Sequence, residues 1–307
     1  MAILVLGSLN LDLVARVSRL PAAGETLLGQ SFETIPGGKG ANQAVAAARL
    51  GAATRMIGRV GNDRFGPLLL DSLQASGVDT QSVTVDATTP SGTALIAVAD
   101  NGDNQIIVVP GANGQVGEVE LTQLERQLGP DDIVLLQFEV PFDVVERAAA
   151  IAHHVGATVI VDPAPAHGPL PDSFCQHVSI LTPNQTEAEQ LVGFPINDGS
   201  ADRAIERLRQ RGVDVVILTL GHQGVRVGTQ TGIVTVPAFP VQAVDTVAAG
   251  DAFNGGLAVA LSEGQPLSTA ATWASAVAAL AVTQPGAQSS LPDRKTVMDF
   301  LARSPLD

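Results

Sequence analysis

The sequence holds one cysteine, Cys175, so no internal disulfide is possible, and the lone thiol reads as a buried, inert side chain in a reducing cytoplasm. Basic residues are also scarce. Seventeen lysines and arginines stand against 31 aspartates and glutamates, for a net charge of -14. That balance argues against a sequence-independent grip on nucleic acid or on an anionic membrane, and any phosphate must be bound locally. Long apolar runs are missing. The longest small-apolar segment, Trp273 to Val282, is far below the roughly 18 residues that a spanning helix needs. The first residues, MAILVLGSLNLDLV, lack a charged region and a cleavage signature, and read as a strand rather than a signal peptide. The histidines (His153, His154, His167, His177 and His222) show no metal-ligand spacing, and Trp273, set among alanines, reads as core.

What is present is a globular composition: 307 residues, 45% of them hydrophobic, enough for a large core. Short runs rich in Val, Ile and Leu recur as ILVLGS (3–8), IVLLQFE (133–139), TVIVDPAP (158–165), VSILTPN (178–184) and VVILTLG (215–221). Segments with helical spacing lie between most of them, at 44–50, 144–153, 186–191 and 202–211. Continuous apolar strands alternating with helices predict an α/β fold, a doubly wound and mostly parallel sheet with helices on both faces. Two stretches break the rhythm. LDLVARV (11–17) alternates, and TALIAVADNGDNQIIVVPG (93–111) carries two apolar runs around Asp100-Asn101-Gly102-Asp103, a hairpin signal. They predict a small β-lid, approximately 11–35 and 92–110, inserted in a single domain of residues 1–307; edge strands of the main sheet are the plainer alternative.

Ligands of such sheets bind at the carboxyl ends of the strands. Those ends carry Asn10 and Asp12, Glu139, Asp162, Asn184 with Glu187, and Thr219 to Gly224, a set that suggests a polar pocket. PGGKGANQAVAAARLG (36–51) is a glycine-rich entry to a helix, without the spacing of a Walker loop or of a dinucleotide fingerprint. It could be a turn capped by Asn42, or a substrate site of backbone amides with Lys39 and Asn42. In DTVAAGDAFNGG (245–256) small residues precede Asp251 at a helix start, where free amides and the helix dipole favour an anion. Asp251 there could be an N-cap or a general base, and the local sequence does not separate the two.

The pairing of GGKGAN with DTVAAGDAFNGG, together with N-x-D at 10–12, PNQTEAE at 183–189, TLGHQG at 219–224 and PGAQSS at 285–290, resembles the ribokinase family of sugar kinases. The resemblance covers nearly the whole chain in order. It implies ATP-dependent phosphorylation of D-ribose at the 5-hydroxyl, with Asp251 as the base and the amides of Ala248, Ala249 and Gly250 as an anion hole. Asn10, Asp12, Gly38, Lys39, Gly40, Ala41, Asn42 and Glu139 match positions that hold the sugar. Asn184, Thr219, Leu220, Gly221, His222, Gln223 and Gly224 match nucleotide contacts, with Gly250 and Ser275 beside them. Glu187 matches the acid that organises Mg2+, through water. Asp245, Val247, Ala281, Gln284, Gly286 and Ser290 match a site for a monovalent cation, K+, mostly through backbone carbonyls; Asp245 could instead cap a turn.

Some positions depart from the pattern. Position 247 is Val where relatives commonly have Thr or Ile, and position 275 is Ser where some have His near the adenine. Lys39 stays open between sugar contact and loop support, and Asp162 matches no role. The resemblance further implies a homodimer formed through the lid. A kinase for another sugar or nucleoside, and a non-catalytic sugar-binding protein on the same fold, are the competing readings; the intact Gly250-Asp251 pair speaks against the second.

Overall fold

The computed structural model describes residues 1–197 and 199–304. In chain order its strands are β1 (Ile3–Leu6), β2 (Asn10–Val17), β3 (Ser31–Gly37), β4 (Thr54–Gly61), β5 (Asp79–Asp86), β6 (Gly92–Ala99) and β7 (Asn104–Val109). Then follow β8 (Ile133–Leu136), β9 (Thr158–Val161), β10 (Ile180–Leu181), β11 (Val215–Thr219), β12 (Val225–Thr229) and β13 (Gly232–Val236). The helices are α1 (Lys39–Arg49), α2 (Phe65–Ala75), α3 (Glu118–Gln127), α4 (Phe142–Val155) and α5 (Asp172–Cys175), then α6 (Gln185–Val192), α7 (Ala201–Arg209), α8 (Ala249–Ser262), α9 (Leu267–Ala281) and α10 (Arg294–Arg303).

A nine-stranded sheet in the order β13-β12-β11-β10-β9-β8-β1-β4-β5 forms the body. It is parallel from β11 to β5, with β12 and β13 added as an antiparallel ribbon. Alternation of side chains along each strand divides the core into two layers. Ile3, Val5, Ile133 and Leu135 pack with α1, α8 and α9 residues such as Val45, Leu257 and Val277, whereas Leu4, Leu6, Val134 and Leu136 pack with Leu124, Val145 and Ala148 on the opposite face. Burial on both faces is why these strands read as unbroken apolar runs, and the doubly wound expectation holds.

The strands of the two stretches that break the rhythm do not join that sheet. β2, β3, β6 and β7 make a separate four-stranded sheet in the order β3-β2-β6-β7, so they are not edge strands of the body. The hairpin β6–β7 turns at Asp100–Asp103, where Ala99 N–H donates to Asp103 O at 2.8 Å. Strand β7 has solvent-exposed residues throughout, including Ile106, Ile107, Val108 and Val109. No helix among the described residues is long and apolar enough to cross a membrane. Cys175 is buried, and burial pushes its thiol up, away from the reactive thiolate.

The glycine-rich segment folds differently from one of its two expected forms. Asn42 does not cap a turn: α1 starts at Lys39 with Gly38 as its N-cap, and Asn42 lies within the helix. Gly38 sits at φ 91°, and a Cβ there would meet Asn10 N at 2.7 Å and Ser8 O at 2.9 Å. A Cβ on Gly40 would lie 2.7 Å from Ser8 N. Both glycines exist so that α1 can press its first turn against the loop after β1.

Candidate active site

Strand order places the polar residues. Thr219 ends β11, and Asn184, Asp162, Glu139 and Asn10 follow β10, β9, β8 and β1, which are successive neighbours in the sheet. They therefore line one rim of the body in that order, at the carboxyl ends of the strands. Strands are spaced about 4.8 Å, so the Asn10 and Asn184 ends of this row lie roughly 14 Å apart. α1 and α8 bring their first turns to the middle of it.

At the β1–β8 end, Glu139 is the hub. Its Oε2 accepts from Ser8 Oγ at 2.5 Å, from the Lys39 amide at 3.1 Å and from Asn10 Nδ2 at 3.5 Å. Asp12, on β2, faces the same space: burial, Glu139 and Asp251 together raise its pKa to about 7. Gly37 permits this placement, since a Cβ there would lie 2.6 Å from Asp12 Oδ2. Hydrogen bonds and mutual fields thus bring Asn10, Asp12, Lys39, Asn42, Glu139 and Asp251 together, with Gly38, Gly40 and Ala41 beside them at the start of α1. Ala41 contributes its buried backbone, its N–H donating to Ser8 O at 2.9 Å.

In the middle, Asp251 is 4% exposed. It is not the N-cap of α8. That position belongs to Ala248, which lies in the left-handed region at φ 60°, the only non-glycine among the described residues with positive φ. Left-handed backbone costs an alanine about 1–2 kcal/mol, and strain of this kind concentrates at functional sites. Instead of covering the helix end, the carboxylate accepts from Asn42 Nδ2 at 2.9 Å and from Gln43 Nε2 at 3.2 Å. The amides of Gly250 and Asp251 belong to the first turn and have no acceptor within the helix. The Ala249 amide turns back to Thr246 O at 3.3 Å.

Gln43 joins the cluster without any mark in the sequence, and Asp162, singled out only as a strand-end acid without a role, joins it too. Gln43 also donates to Asp162 Oδ2 at 2.9 Å, and accepts from Gln137 Nε2 at 2.7 Å, which fixes the way its amide points. Asp162 is buried, and burial, outweighing the nearby Lys39 and reinforced by Asp251, Glu187 and Glu139, raises its pKa to about 8. Burial likewise pushes the Asp251 carboxyl up, against the pull of Lys39, Asn42 and Gln43. Burial depresses the Lys39 ammonium, yet the fields of Asp162, Asp251, Glu139 and Glu187 outweigh it and hold Lys39 charged. Lys39 is the one cation among these acids, and its charge offsets part of theirs.

At the β10–β11 end, Asn184 caps α6. Its side chain accepts from the Glu187 amide at 2.9 Å, and both Glu187 oxygens accept from Asn184, at 2.8 Å from the backbone and 2.7 Å from Nδ2. Asn184 bridges to Thr219, and the 219–224 segment turns back on itself through Leu220 N to Gly224 O at 2.8 Å, leaving Gly221, His222 and Gln223 exposed. The Ser275 hydroxyl, inside α9, donates to Ala271 O at 2.8 Å and is buried. Among the described residues no group of three or more His, Cys, Asp or Glu is placed to hold a metal. A hard cation here would fit through one carboxylate, phosphate oxygens and water, and the surplus of acids around Lys39 supplies the field for it.

Beside the start of α8, two loops are stapled together. Asp245 Oδ1 accepts from the Val247 amide at 3.0 Å and Oδ2 from the Gly286 amide at 2.9 Å, while Val244 donates to Val282 O at 2.7 Å. This brings Asp245 and Val247 to the same region as Ala281, Gln284 and Gly286. Ser290 lies in the next turn, its hydroxyl on Ala287 O at 2.8 Å. Asp245 does cap its own loop, and it also crosses to the second one.

Comparison with known proteins agrees with this geometry. The model of the pfkB family carbohydrate kinases matches residues 2–294. A ribokinase of Haemophilus influenzae is 42% identical over 298 residues, covering 97% of both chains, and a deoxyribokinase of Salmonella typhi is 36% identical over 303 residues, covering 98% of this chain and 99% of its own. The structure of Arabidopsis thaliana ribokinase with ribose and ATP superposes with a TM-score of 0.90 at 34% identity, over 98% of this chain and 99% of that one. With the rim of polar strand ends, the two glycine-rich helix starts and these likenesses running end to end, the chain belongs to the pfkB family of carbohydrate kinases.

Proposed function

We propose that this protein transfers the γ-phosphate of ATP to the 5-hydroxyl of D-ribose, giving ribose 5-phosphate and ADP. The observation that carries the reading is Asp251: a buried carboxylate held by two side-chain amides beside the unpaired first-turn amides of α8, midway along a rim with hydroxyl-binding groups at one end. Asp251 accepts the proton of the sugar hydroxyl as its oxygen bonds to phosphorus, and the bond from that phosphorus to the bridging oxygen of ADP breaks. The amides of Gly250 and Asp251, with Ala248 setting the turn, face the charge on the transferring group. Asn10, Asp12, Glu139 and the start of α1 hold the sugar. Asn184 and the 219–224 loop hold the nucleotide, and Glu187 would hold Mg2+ through water, where the ion would offset phosphate charge.

A coupled ADP-release assay over D-ribose, 2-deoxyribose, fructose and adenosine tests the reading. Turnover greatest with D-ribose supports it, greatest with 2-deoxyribose would favour the deoxyribokinase-like relative, and none with any acceptor would leave only binding.

The sugar end carries its own pH signature. Asp12 is placed to accept hydroxyl protons as a carboxylate, and burial with two neighbouring acids keeps it protonated until about pH 7. The D-ribose KM should therefore fall as pH rises through that value. Asp12→Asn should flatten the dependence and weaken ribose binding roughly 10- to 100-fold, the loss of a charged hydrogen bond, with the ATP KM little changed. Equal losses for both substrates in calorimetry would argue against a sugar role for Asp12.

The stapled loops at Asp245 and Gly286 are the proposed seat of a potassium ion, with the carbonyls of Val247, Ala281, Gln284 and Ser290 around it. Exchanging potassium for a large organic cation at constant ionic strength should depress turnover; an unchanged rate would remove the site. The second sheet is proposed as a lid. Its apolar outer row on β7, with Leu95 and Phe32, supports a homodimer in which a second copy covers it. A cytoplasmic setting fits the single buried thiol.

A further inference from the structure

Asn113 lies in the turn after β7, 1% exposed, and takes part in none of the contacts assigned above to substrate. Its side chain pairs with the chain after β1 as a strand neighbour would. Oδ1 accepts from the Leu9 amide at 2.9 Å, and Nδ2 donates to Leu9 O at 3.0 Å and to Asn10 Oδ1 at 2.8 Å. All three bonds dictate one orientation of the amide. Exchanging its oxygen and nitrogen would set NH2 against an N–H and oxygen against two oxygens, so the flipped form is excluded by its own neighbours.

The orientation passes on to Asn10. With its Oδ1 held by Asn113, Asn10 must turn its NH2 the other way, toward Glu139 Oε2 at 3.5 Å. A free Asn10 could present either end. The opposite end would place an oxygen beside the Glu139 carboxylate and near Asp12, adding a third acceptor to a corner that already holds two. The contact also needs room. A Cβ on Gly92 would fall 2.1 Å from Asn113 Nδ2 and 2.3 Å from Asn10 Oδ1. Gly92 opens β6 and Asn113 follows β7, so both ends of the hairpin segment meet at this clamp.

We infer that Asn113 is a positioning residue for sugar recognition, holding the Asn10 amide with its NH2 toward the substrate while Gly92 leaves space for the contact. A hydroxyl in that corner then donates to Asp12 or Glu139 and accepts from Asn10, a pattern that an ether, a fluorine or a missing hydroxyl does not reproduce. The inference rests on the proposed sugar role of Asn10.

A double-mutant cycle tests it, with D-ribose affinity measured by calorimetry on Asn10→Ala, Asn113→Ala and the double variant. Each single change should weaken ribose binding about tenfold, the loss of one oriented hydrogen bond. The double variant should be no more than about twofold weaker than Asn10→Ala, because Asn113 acts through Asn10. Losses that multiply in the double variant would overturn the inference and leave the sugar site standing. Unchanged ribose affinity in Asn10→Ala would overturn both. The ATP KM should stay constant in all three, whereas a merely structural role would move both substrates together. If Asn113→Ala does not fold, the near-isosteric Asn113→Asp serves: it puts an oxygen against Asn10 Oδ1, and ribose affinity equal to that of the unaltered protein would overturn the inference.

Discussion

Asp251→Asn should lower turnover about 10²- to 10⁴-fold, the usual range for the loss of a general base, while D-ribose still binds. The substitution keeps size and shape, and its carbonyl oxygen can still accept from Asn42, which donates to Asp251 at 2.9 Å. What it cannot do is take a proton. The new NH2 would face Gln43, so a small rearrangement of that amide accompanies the loss, but the sugar corner around Glu139 is untouched. As the proposed base, Asp251 would fail when it is protonated. Burial pushes Asp251 up, so the acid limb of kcat should lie above the ordinary aspartate range. Both results are read in the coupled ADP-release assay, the binding by calorimetry; near-normal turnover in the variant would sink the assignment.

The second large effect concerns stability. Arg59 lies on β4, in the middle of a largely buried triad: its Nε and Nη2 each donate to Glu120 at 3.1 Å, and Nη1 to Asp86 Oδ2 at 3.1 Å. The Glu120 side chain is 0% exposed. Arg59→Met leaves that carboxylate buried with only the Gly117 amide as a partner, at 2.8 Å. Breaking a buried pair from one side costs about 3–5 kcal/mol, more than the pair itself contributes. The urea midpoint should fall accordingly, and Arg59→Met/Glu120→Gln should recover part of the loss by removing the stranded charge. An unchanged midpoint would mean that water reaches Glu120.

The same arginine shows what the sequence concealed. β1, β8, β9 and β11 were legible because both of their faces are buried, which leaves Val, Ile and Leu in unbroken runs. TRMIGRVG, the β4 segment, has two arginines and two glycines within it and reads as neither strand nor helix. Arg59 is tolerated there only because acids from β5 and α3 meet it, and partners distant in sequence leave no periodic mark. Strand β10 shrank to Ile180–Leu181, since proline and asparagine at 183–184 turn the chain toward α6. The start of α1 was read five residues late, because three glycines within four positions resemble a turn unless the loop against which they pack is known.

Within the site, residues at strand ends and in the glycine-rich motifs could be singled out in advance. The buried amides of Gln43 and Gln137 could not. Gln43 sits in an alanine-rich helix next to Asn42, and nothing in its spacing distinguishes an inward amide from a solvated one. Asp162 did stand at a strand end, which was the available signal. Asp251 was left between cap and base by the local sequence. Three-dimensional contacts remove the cap: a cap spends its oxygens on the helix amides, whereas those of Asp251 are held by Asn42 and Gln43.

Asn10 and Asp12 belong to β2, a central strand of the second sheet, paired with β3 on one side and β6 on the other. A lid built on that sheet would therefore be more than a passive cover. On the proposed sugar roles of Asn10 and Asp12, any outward movement of β2 would withdraw both from the site, so that opening it and letting go of the sugar would be one event. The residence time of a bound sugar would then depend on the strand pairing of Asn10 with Gly37 and Gly92 as well as on the hydrogen bonds to the sugar itself.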